Sequence, residues 1–452
     1  MRQLFGTDGM RGVAGEPPLV PPTLHKLGRA LVEAIRRDRP DLSAPRIAVG
    51  MDTRESCGWI ASALARGVAD AGGTAVGAGV LPTPALALIV RDAGFAAGLM
   101  ISASHNPFHD NGVKVFDCRG AKLPDEIEAE LERRMGEAPD APLSAEELTS
   151  NPPPVDEALR ERYLAFLERC LAGARLDGLS VVLDAANGAA SLVAPEAFRR
   201  AGARVTTLAD APDGRNINDG CGSLHPQRMA REVVARGADV GFAFDGDADR
   251  CIGATRSGRL LDGDFALYYA GRALRRAGRL ASGAVVATVM SNLGLEKALA
   301  REGIAMLRAP VGDRYVLEAM RAGGHALGGE QSGHIIFGDL APTGDGTLTA
   351  LLLASFQRAG AGDVEAALDE MPRFPQRLKN TRVSAKPRIA DNPALAAAVR
   401  RAEEELGADG RVVVRYSGTE PLARVMIEGP EQAQVDRLVD EIIDVFRREV
   451  GA

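Results

Sequence analysis

The stretch Ile101–Phe116, ISASHNPFHDNGVKVF, decides how the rest of the chain is read. The apolar run from Phe95 to Ile101 ahead of it predicts a buried strand. The run stops at Ser102-Ala103-Ser104-His105-Asn106-Pro107, which is loop chemistry, and Pro107 turns Asn106 away from helical geometry. A strand thus delivers a small hydroxyl, Ser104, to the rim of a sheet, where open α/β folds bind ligands. Beyond the loop, Asp110-Asn111-Gly112 predicts a tight turn, and Val113–Phe116 predicts a returning strand carrying Lys114. Ser104, His105 and Lys114 are then expected close together.

A polar loop of this kind also serves simply to cap a helix or close a turn. A second stretch, Gly241–Cys251, GFAFDGDADRC, adds a reason to expect more. It places Asp245, Asp247 and Asp249 at alternate positions, separated by Gly246 and Ala248. On a looped backbone these carboxylates face one point, and they repel one another unless a cation compensates them. A small set of hard oxygen ligands suits Mg²⁺, with water or phosphate filling the other positions. The twelve-residue frame and terminal Glu of a calcium loop are missing. A solvated acidic turn would share the pattern.

The remaining motifs are spread along the chain. FGTDGMRG, Phe5–Gly12, combines glycines with Arg11, a residue suited to bidentate phosphate contact. GGEQSGHIIF, Gly328–Phe337, sets Glu330, Ser332 and His334 in a glycine-rich loop where they are able to bond sugar hydroxyls or an amino group. RYSGTEPLARVMIEG, Arg415–Gly429, brings Arg415 into a Ser417-Gly418-Thr419 turn fit to cradle phosphate, without the Gly spacing of a Walker loop. Each of these also reads as an ordinary turn.

Between the motifs, apolar strands alternate with amphipathic helices, which argues for mostly parallel sheets covered on both faces. The strand Thr74–Val80, the helix Gln227–Arg236 and the helix Leu293–Arg301 are read this way. The Pro-rich stretch Glu137–Val155 is expected to be a linker with or without a short helix, Asp219–Gly222 a flexible loop between domains, and Met371–Pro387 a last boundary. The expected domains are 1–155 with the serine loop, 156–258 with the Asp loop, 259–371 with the GGEQSGH loop, and a smaller α+β piece, 372–452. Three α/β units of similar length suggest duplication, without a clear sequence repeat.

The length of 452 residues suits several domains, and a net charge of −7 disfavours nucleic acid as a bulk partner. Five scattered cysteines without a C-x-x-C pair fit a reducing cytoplasm better than a disulfide or zinc framework. No signal core or membrane-length apolar run is present, so no membrane partner is expected.

Taken in order, the Ser-His-Asn-Pro, Asp-Gly-Asp-x-Asp-Arg, Gly-Glu-x-Ser-Gly-His and Arg-x-Ser-Gly-Thr-Glu-Pro loops resemble those of the α-D-phosphohexomutase family. FGTDGMRG and GGEQSGH are more similar to the bacterial branch acting on glucosamine phosphates than to the phosphomannomutase or phosphoglucomutase branches. His109 and Tyr416 depart from the usual pattern, at positions where no chemistry is expected. The resemblance implies three related α/β domains with mixed sheets and a C-terminal α+β domain around a central cleft. It implies interconversion of glucosamine 6-phosphate and glucosamine 1-phosphate through a phosphoserine at Ser104 and glucosamine 1,6-bisphosphate, or a related hexose bisphosphate. Mg²⁺ would be held by Asp245, Asp247, Asp249 and the Ser104 phosphate. Arg250 would contact the phosphoserine and His105 would orient its loop. Lys114, Arg11 and His334 would be candidates for handling protons. Glu330 and Ser332 would read the sugar, and Arg415, Ser417, Gly418 and Thr419 would grip the distal phosphate. A homodimer is also implied. Phosphomannomutase or phosphoglucomutase activity, a metal-dependent phosphatase and a non-catalytic phosphosugar sensor are the competing readings.

Overall fold

A computed structural model describes residues 4–6, 9–138, 144–360, 362–417 and 421–451. Their strands form four sheets. The first runs, edge to edge, Phe5–Gly6, Gly9–Val13, Asp110–Asp117, Ala97–Ile101, Arg46–Met51 and Thr74–Val80. The last three of these strands are mutually parallel, and the others are antiparallel to their neighbours. The second sheet has Leu260–Leu261, Cys251–Thr255, Val240–Phe244, Ser180–Asp184 and Arg204–Leu208, and the third has Ala305–Ala309, Ala284–Thr288, Leu327–Gly329 and Ile335–Phe337. Each joins a parallel core to an antiparallel edge hairpin. The fourth, Gln376–Arg382, Leu422–Glu428 and Arg411–Tyr416, is wholly antiparallel and is backed by the helices Pro393–Leu406 and Gln432–Val450.

The mixed sheets match what the family resemblance implies and correct the mostly parallel expectation. Alternating strand and helix patterns reveal the βαβ cores, but a hairpin at a sheet edge carries no helix to mark it. Three local readings also change. Asp110-Asn111-Gly112 is not a turn but the start of the strand Asp110–Asp117. There it pairs with Val13, Gly12 and Arg11 of the N-terminal hairpin, a partner distant in sequence. Asp219–Gly222 is not a loop between domains. It is packed within the second unit, where Cys221 is buried and Ser223 N–H donates to the Phe244 carbonyl at 2.7 Å. Within Met371–Pro387 lies the edge strand Gln376–Arg382. Part of the Pro-rich stretch, 139–143, lies outside the described residues, and the helix Ala145–Thr149 follows it.

One continuous apolar core runs through the three α/β units, from Leu86 and Phe116 by way of Tyr163 and Phe198 to Tyr269 and Leu351. The C-terminal unit has its own core around Val425, Ile427, Leu438 and Phe446. Shared burial fixes the three α/β units against one another, so loops from different sheets can be held in register. Tyr163 illustrates this. It sits on the helix Ala158–Cys170, is fully buried, and its hydroxyl lies 3.0 Å from both carboxylate oxygens of Asp345. Asp345 in turn caps the helix Gly346–Arg358 by accepting from Leu348 N–H at 2.9 Å. Burial first of all raises the Asp345 carboxyl, to about 6, against the lowering effect of these donors.

Tyr163→Phe removes one donor without opening a cavity and leaves a buried carboxyl less satisfied. It is expected to cost about 1–3 kcal/mol, seen as a lower urea midpoint with the cavity chemistry retained.

Candidate active site

Ser104 follows the strand Ala97–Ile101 in a left-handed backbone conformation, φ +52°. A serine does not favour this conformation unless its surroundings impose it. Here they do. Ser104 N–H donates to Ser102 Oγ at 2.9 Å, and Ser102 Oγ donates to Asp52 Oδ2 at 2.7 Å. Arg54, fully enclosed, pairs with Asp52 at 2.9 Å. Its guanidinium also donates to the carbonyls of Ser104 (3.0 Å), Asn106 (2.8 Å), Asp110 (2.9 Å) and Pro107. From the second unit, Asn218 Nδ2 reaches the carbonyls of Ser104 and Asn106 at 2.9 and 3.1 Å. Asp52-Thr53-Arg54, directly after the strand Arg46–Met51, is a part of the site that the sequence motifs do not include. Its signal was a charged pair at the same sheet rim as Ser104.

The Asp loop meets this loop through a glycine. A side chain at Gly246 would come within 2.5 Å of the Ser104 carbonyl. That contact brings Ser104 Oγ to 2.6 Å from Asp245 Oδ2, to which it donates. Asp245, Asp247 and Asp249 are buried, with ligand oxygens all within 4.8 Å of one another. Asp247 Oδ1 and Asp249 Oδ1 are enclosed without a hydrogen-bond partner. Hard oxygens converging in this way, some of them unsatisfied, fit a small divalent cation.

Two cations and a histidine flank this charge. Lys114, buried under the loop, lies with Nζ 2.8 Å from Asp247 Oδ2 and 3.8 Å from Asp249 Oδ2. Thr83 Oγ1 also donates to Asp247, at 2.5 Å. His334 Nδ1 is 3.7 Å from Asp249 Oδ2, and Arg250 Nε is 3.9 Å from Asp249 Oδ1. Burial, then the charges of Asp249 and Asp247, drives the Asp245 carboxyl well above the usual range. Burial also acts to raise Asp249, but Lys114, His334 and Arg250 outweigh it and hold that carboxyl well below. For His334 burial opposes the charge, yet Asp249, Asp313 and Glu330 raise its pKa. His105 goes the other way, lowered by burial and then by Arg250 and Arg11. Its Nδ1 lies 3.3 Å from Ser104 Oγ and 3.2 Å from Arg250 Nη1.

These groups open on a cavity of about 610 Å³ whose lining includes Arg11, Ser104, His105, Asp249, Arg250, Glu330 and His334. Glu330 is steadied by Gly312 N–H, which donates to its Oε1 at 3.0 Å. Lys122 and Asp313, which the sequence reading did not single out, also line the cavity and pair at 2.6 Å, joining the first unit to the third. Not every expected residue is brought here. Lys114 lies beneath the lining, and Ser332 is exposed outside it. Arg415 and Ser417 also stand outside it. Arg415 is on the strand Arg411–Tyr416, and Ser417 is buried just beyond. Gly418 and Thr419 lie outside the described residues. Arg424 faces Arg415 in register across the strand pair. Burial, then the Arg424 charge, lowers the Arg415 pKa.

Family models for phosphoglucomutase/phosphomannomutase match the chain in four segments. These are alpha/beta/alpha domain I at 2–141, domain II at 161–258, domain III at 262–374 and the C-terminal domain at 378–445. A phosphoglucosamine mutase from Solibacter usitatus is 49% identical, over 100% of this chain and 99% of its own. A Burkholderia thailandensis phosphoglucomutase/phosphomannomutase family protein has the same fold, with a TM-score of 0.78 and 23% identity, covering 98% of this chain and 97% of its own. The N-acetylphosphoglucosamine mutase of Aspergillus fumigatus, solved with GlcNAc-6P and magnesium, superposes with a TM-score of 0.66 at 19% identity, covering 99% and 96%.

Two substitutions probe the loop geometry. Arg54→Lys loses the planar fork that serves several carbonyls at once and is expected to reduce turnover by about 10²-fold through displacement of Ser104. Gly246→Ala forces the two loops apart and is expected to cut turnover similarly while the protein stays folded by circular dichroism.

Proposed function

The chain belongs to the phosphoglucomutase/phosphomannomutase family, and from that premise we propose that it interconverts glucosamine 6-phosphate and glucosamine 1-phosphate through a phosphorylated Ser104. It is an isomerase of the intramolecular phosphotransferase kind. Glucosamine as the sugar is supported by full-length relatives at 43–49% identity named phosphoglucosamine mutase. The product would feed UDP-N-acetylglucosamine and cell-wall synthesis.

One observation carries the mechanism: a nucleophile-bearing loop held 2.6 Å from a buried acidic triplet at the floor of a polar cavity. Phosphoryl transfer depends mostly on positioning and charge neutralisation. In the forward step the Ser104 Oγ–P bond breaks and a bond forms from phosphorus to the free sugar hydroxyl, giving the 1,6-bisphosphate. Lys114, Arg11 and His334 are the candidates for handling the hydroxyl proton, which the lysine or the histidine would take only in its neutral form and which the arginine would only help to place. The bisphosphate then turns over in the cavity, and its other phosphoryl group returns to Ser104 Oγ as a proton is restored to the sugar oxygen. Asp245, Asp247 and Asp249 would hold Mg²⁺, which when bound supplies Lewis-acid stabilisation of the serine leaving group. Arg250 would neutralise the phosphoserine, and His105, its pKa lowered by burial and then by Arg250 and Arg11, would orient the loop. Lys114, paired with Asp247, offsets part of the charge that the acidic loop presents to the incoming phosphate.

Glu330 and Ser332 would read the sugar hydroxyls. Arg415, with Ser417, Gly418 and Thr419, would hold the distal phosphate. The Arg415–Arg424 pair supports this last role, because adjacent like charges are relieved by an anion. Arg415 and Ser417 would need to approach the cavity as the C-terminal unit closes and excludes water.

Ser104→Ala is expected to abolish isomerisation of glucosamine 6-phosphate in a coupled assay, without loss of fold. Intact-mass measurement should find an added phosphoryl group on the active enzyme and none on the variant. Asp247→Asn is expected to lose the stimulation by Mg²⁺ in the same assay. Free phosphate release without isomerisation would overturn the mutase reading in favour of hydrolysis. Equal turnover of mannose and glucose phosphates would overturn the sugar assignment.

A further inference from the structure

Asp264 is a buried carboxylate that takes no part in the cavity. It sits in the first turn of the helix Gly263–Arg276. Its Oδ2 accepts from the Asn292 N–H at 2.8 Å and from Gln331 Nε2 at 3.1 Å. One of these donors belongs to the loop after the strand Ala284–Thr288. The other is the immediate neighbour of Glu330, which lines the cavity. The two sides are bound more closely still. Gly263 N–H donates to the Gln331 carbonyl at 3.0 Å, and a side chain at Gly263 would lie 1.9 Å from the Glu330 carbonyl.

The loop at 289–292 is itself gripped by the C-terminal unit and the segment leading to it. Arg411 donates to the carbonyls of Val289 and Ser291 at 2.8 and 2.9 Å while paired with Glu428, which is fully buried. Glu428 Oε1 accepts from Leu293 N–H at 3.2 Å. Gln376 Nε2 reaches the Met290 carbonyl at 3.1 Å. The Asn292 side chain exchanges two 3.0 Å bonds with the Phe374 backbone. Arg373 pairs with Asp262, next to the same helix start, at 3.2 Å. Fixed contacts therefore lead from the C-terminal unit through Asn292 and Asp264 to Gln331 and Glu330. Burial, then the Asp262 charge, raises the Asp264 carboxyl to about 7.

We propose that Asp264 is a positioning residue that registers the Glu330 loop against the strap holding the C-terminal unit, so that the position of that unit sets how the loop meets the sugar. The kinetic side of this rests on the mutase reading; the structural side does not.

The test uses the full chain. Amide hydrogen exchange is followed in the segment 329–334, alongside KM and kcat for glucosamine 6-phosphate. Asp264→Ala is expected to speed exchange in that segment by about tenfold, the factor carried by one hydrogen bond of this kind. It is expected to raise KM more than it lowers kcat, and Asp264→Asn, which keeps an acceptor oxygen, should restore most of both. Arg411→Gln, a change in the C-terminal unit, should speed exchange in the same segment, and it should add nothing in the Asp264→Ala background. Should Asp264→Ala not fold, Gln331→Met severs only the link to the loop and replaces it in each comparison. Unaltered exchange at 329–334, or an Arg411→Gln effect that is absent or fully additive, overturns the proposal. A wild-type chain that turns over no hexose phosphate would instead sink the mutase reading, with the exchange result still deciding the role of Asp264.

Discussion

The Asp loop is the point on which the three α/β units converge. Its consecutive carbonyls, Gly246, Asp247 and Ala248, accept from Ala189 N–H at 2.8 Å, Thr83 N–H at 3.0 Å and Gly346 N–H at 3.0 Å. Those donors come from the second, first and third units respectively. Three carboxylates a few ångströms apart repel strongly in a buried setting, so a loop carrying them would not hold its shape unaided. Here each backbone carbonyl is tied to a different helix start, and the helices Thr83–Asp92, Ala190–Arg200 and Gly346–Arg358 begin at or beside those donors. The acidic site and the packing of the units are therefore one constraint. Moving any unit outward would release an amide from the loop and loosen the triplet.

The chain's punctuation made much of this legible. Apolar runs of strand length ended at Ser104 and Asp245, so both loops were visible as rim loops, and alternate aspartates with small spacers pointed to convergence. Helices with strong one-sided patterns, such as Gln227–Arg236 and Leu293–Arg301, were readable to their ends. The failures share a cause. Asp110–Gly112 looked like a turn because turn residues also serve strands wherever a distant partner supplies the pairing, here the N-terminal hairpin. Arg54 went unassigned because its work is done on backbone carbonyls brought together only by the fold. Arg415 and Ser417 belong to a motif that sequence spacing groups with the others, but spacing carries no information about how far separate units stand apart, and it does not say which side chains of one loop, such as Ser332 beside Glu330, face outward.

The contrast between Arg54 and Arg250 shows how one residue type serves two ends. Arg54 is sealed behind the serine loop and spends its donors on carbonyls and Asp52, so its charge is compensated in place. Arg250 reaches the cavity wall, and its Nε, though enclosed, has no hydrogen-bond partner. A guanidinium with bonds already distributed holds shape, while one with a donor in reserve can take an anion. Lys114 is likewise locked onto Asp247 beneath the cavity, while Arg11 lines the cavity wall.

On the proposed mechanism, the Ser104–Asp245 hydrogen bond would link phosphorylation to metal binding. With a free hydroxyl, Ser104 occupies Asp245 Oδ2 as a donor, so one oxygen of the triplet is already satisfied by the protein. A phosphoryl group on Oγ removes that donor and adds negative charge beside three carboxylates that already crowd one another. Both changes act in the same direction. They leave Asp245 in need of a positive partner and raise the repulsion that such a partner would relieve. Lys114 is already committed to Asp247. On the proposed mechanism the added charge would be shared between Arg250 and a cation from outside the chain, and a dication would bind best when the serine carries phosphate.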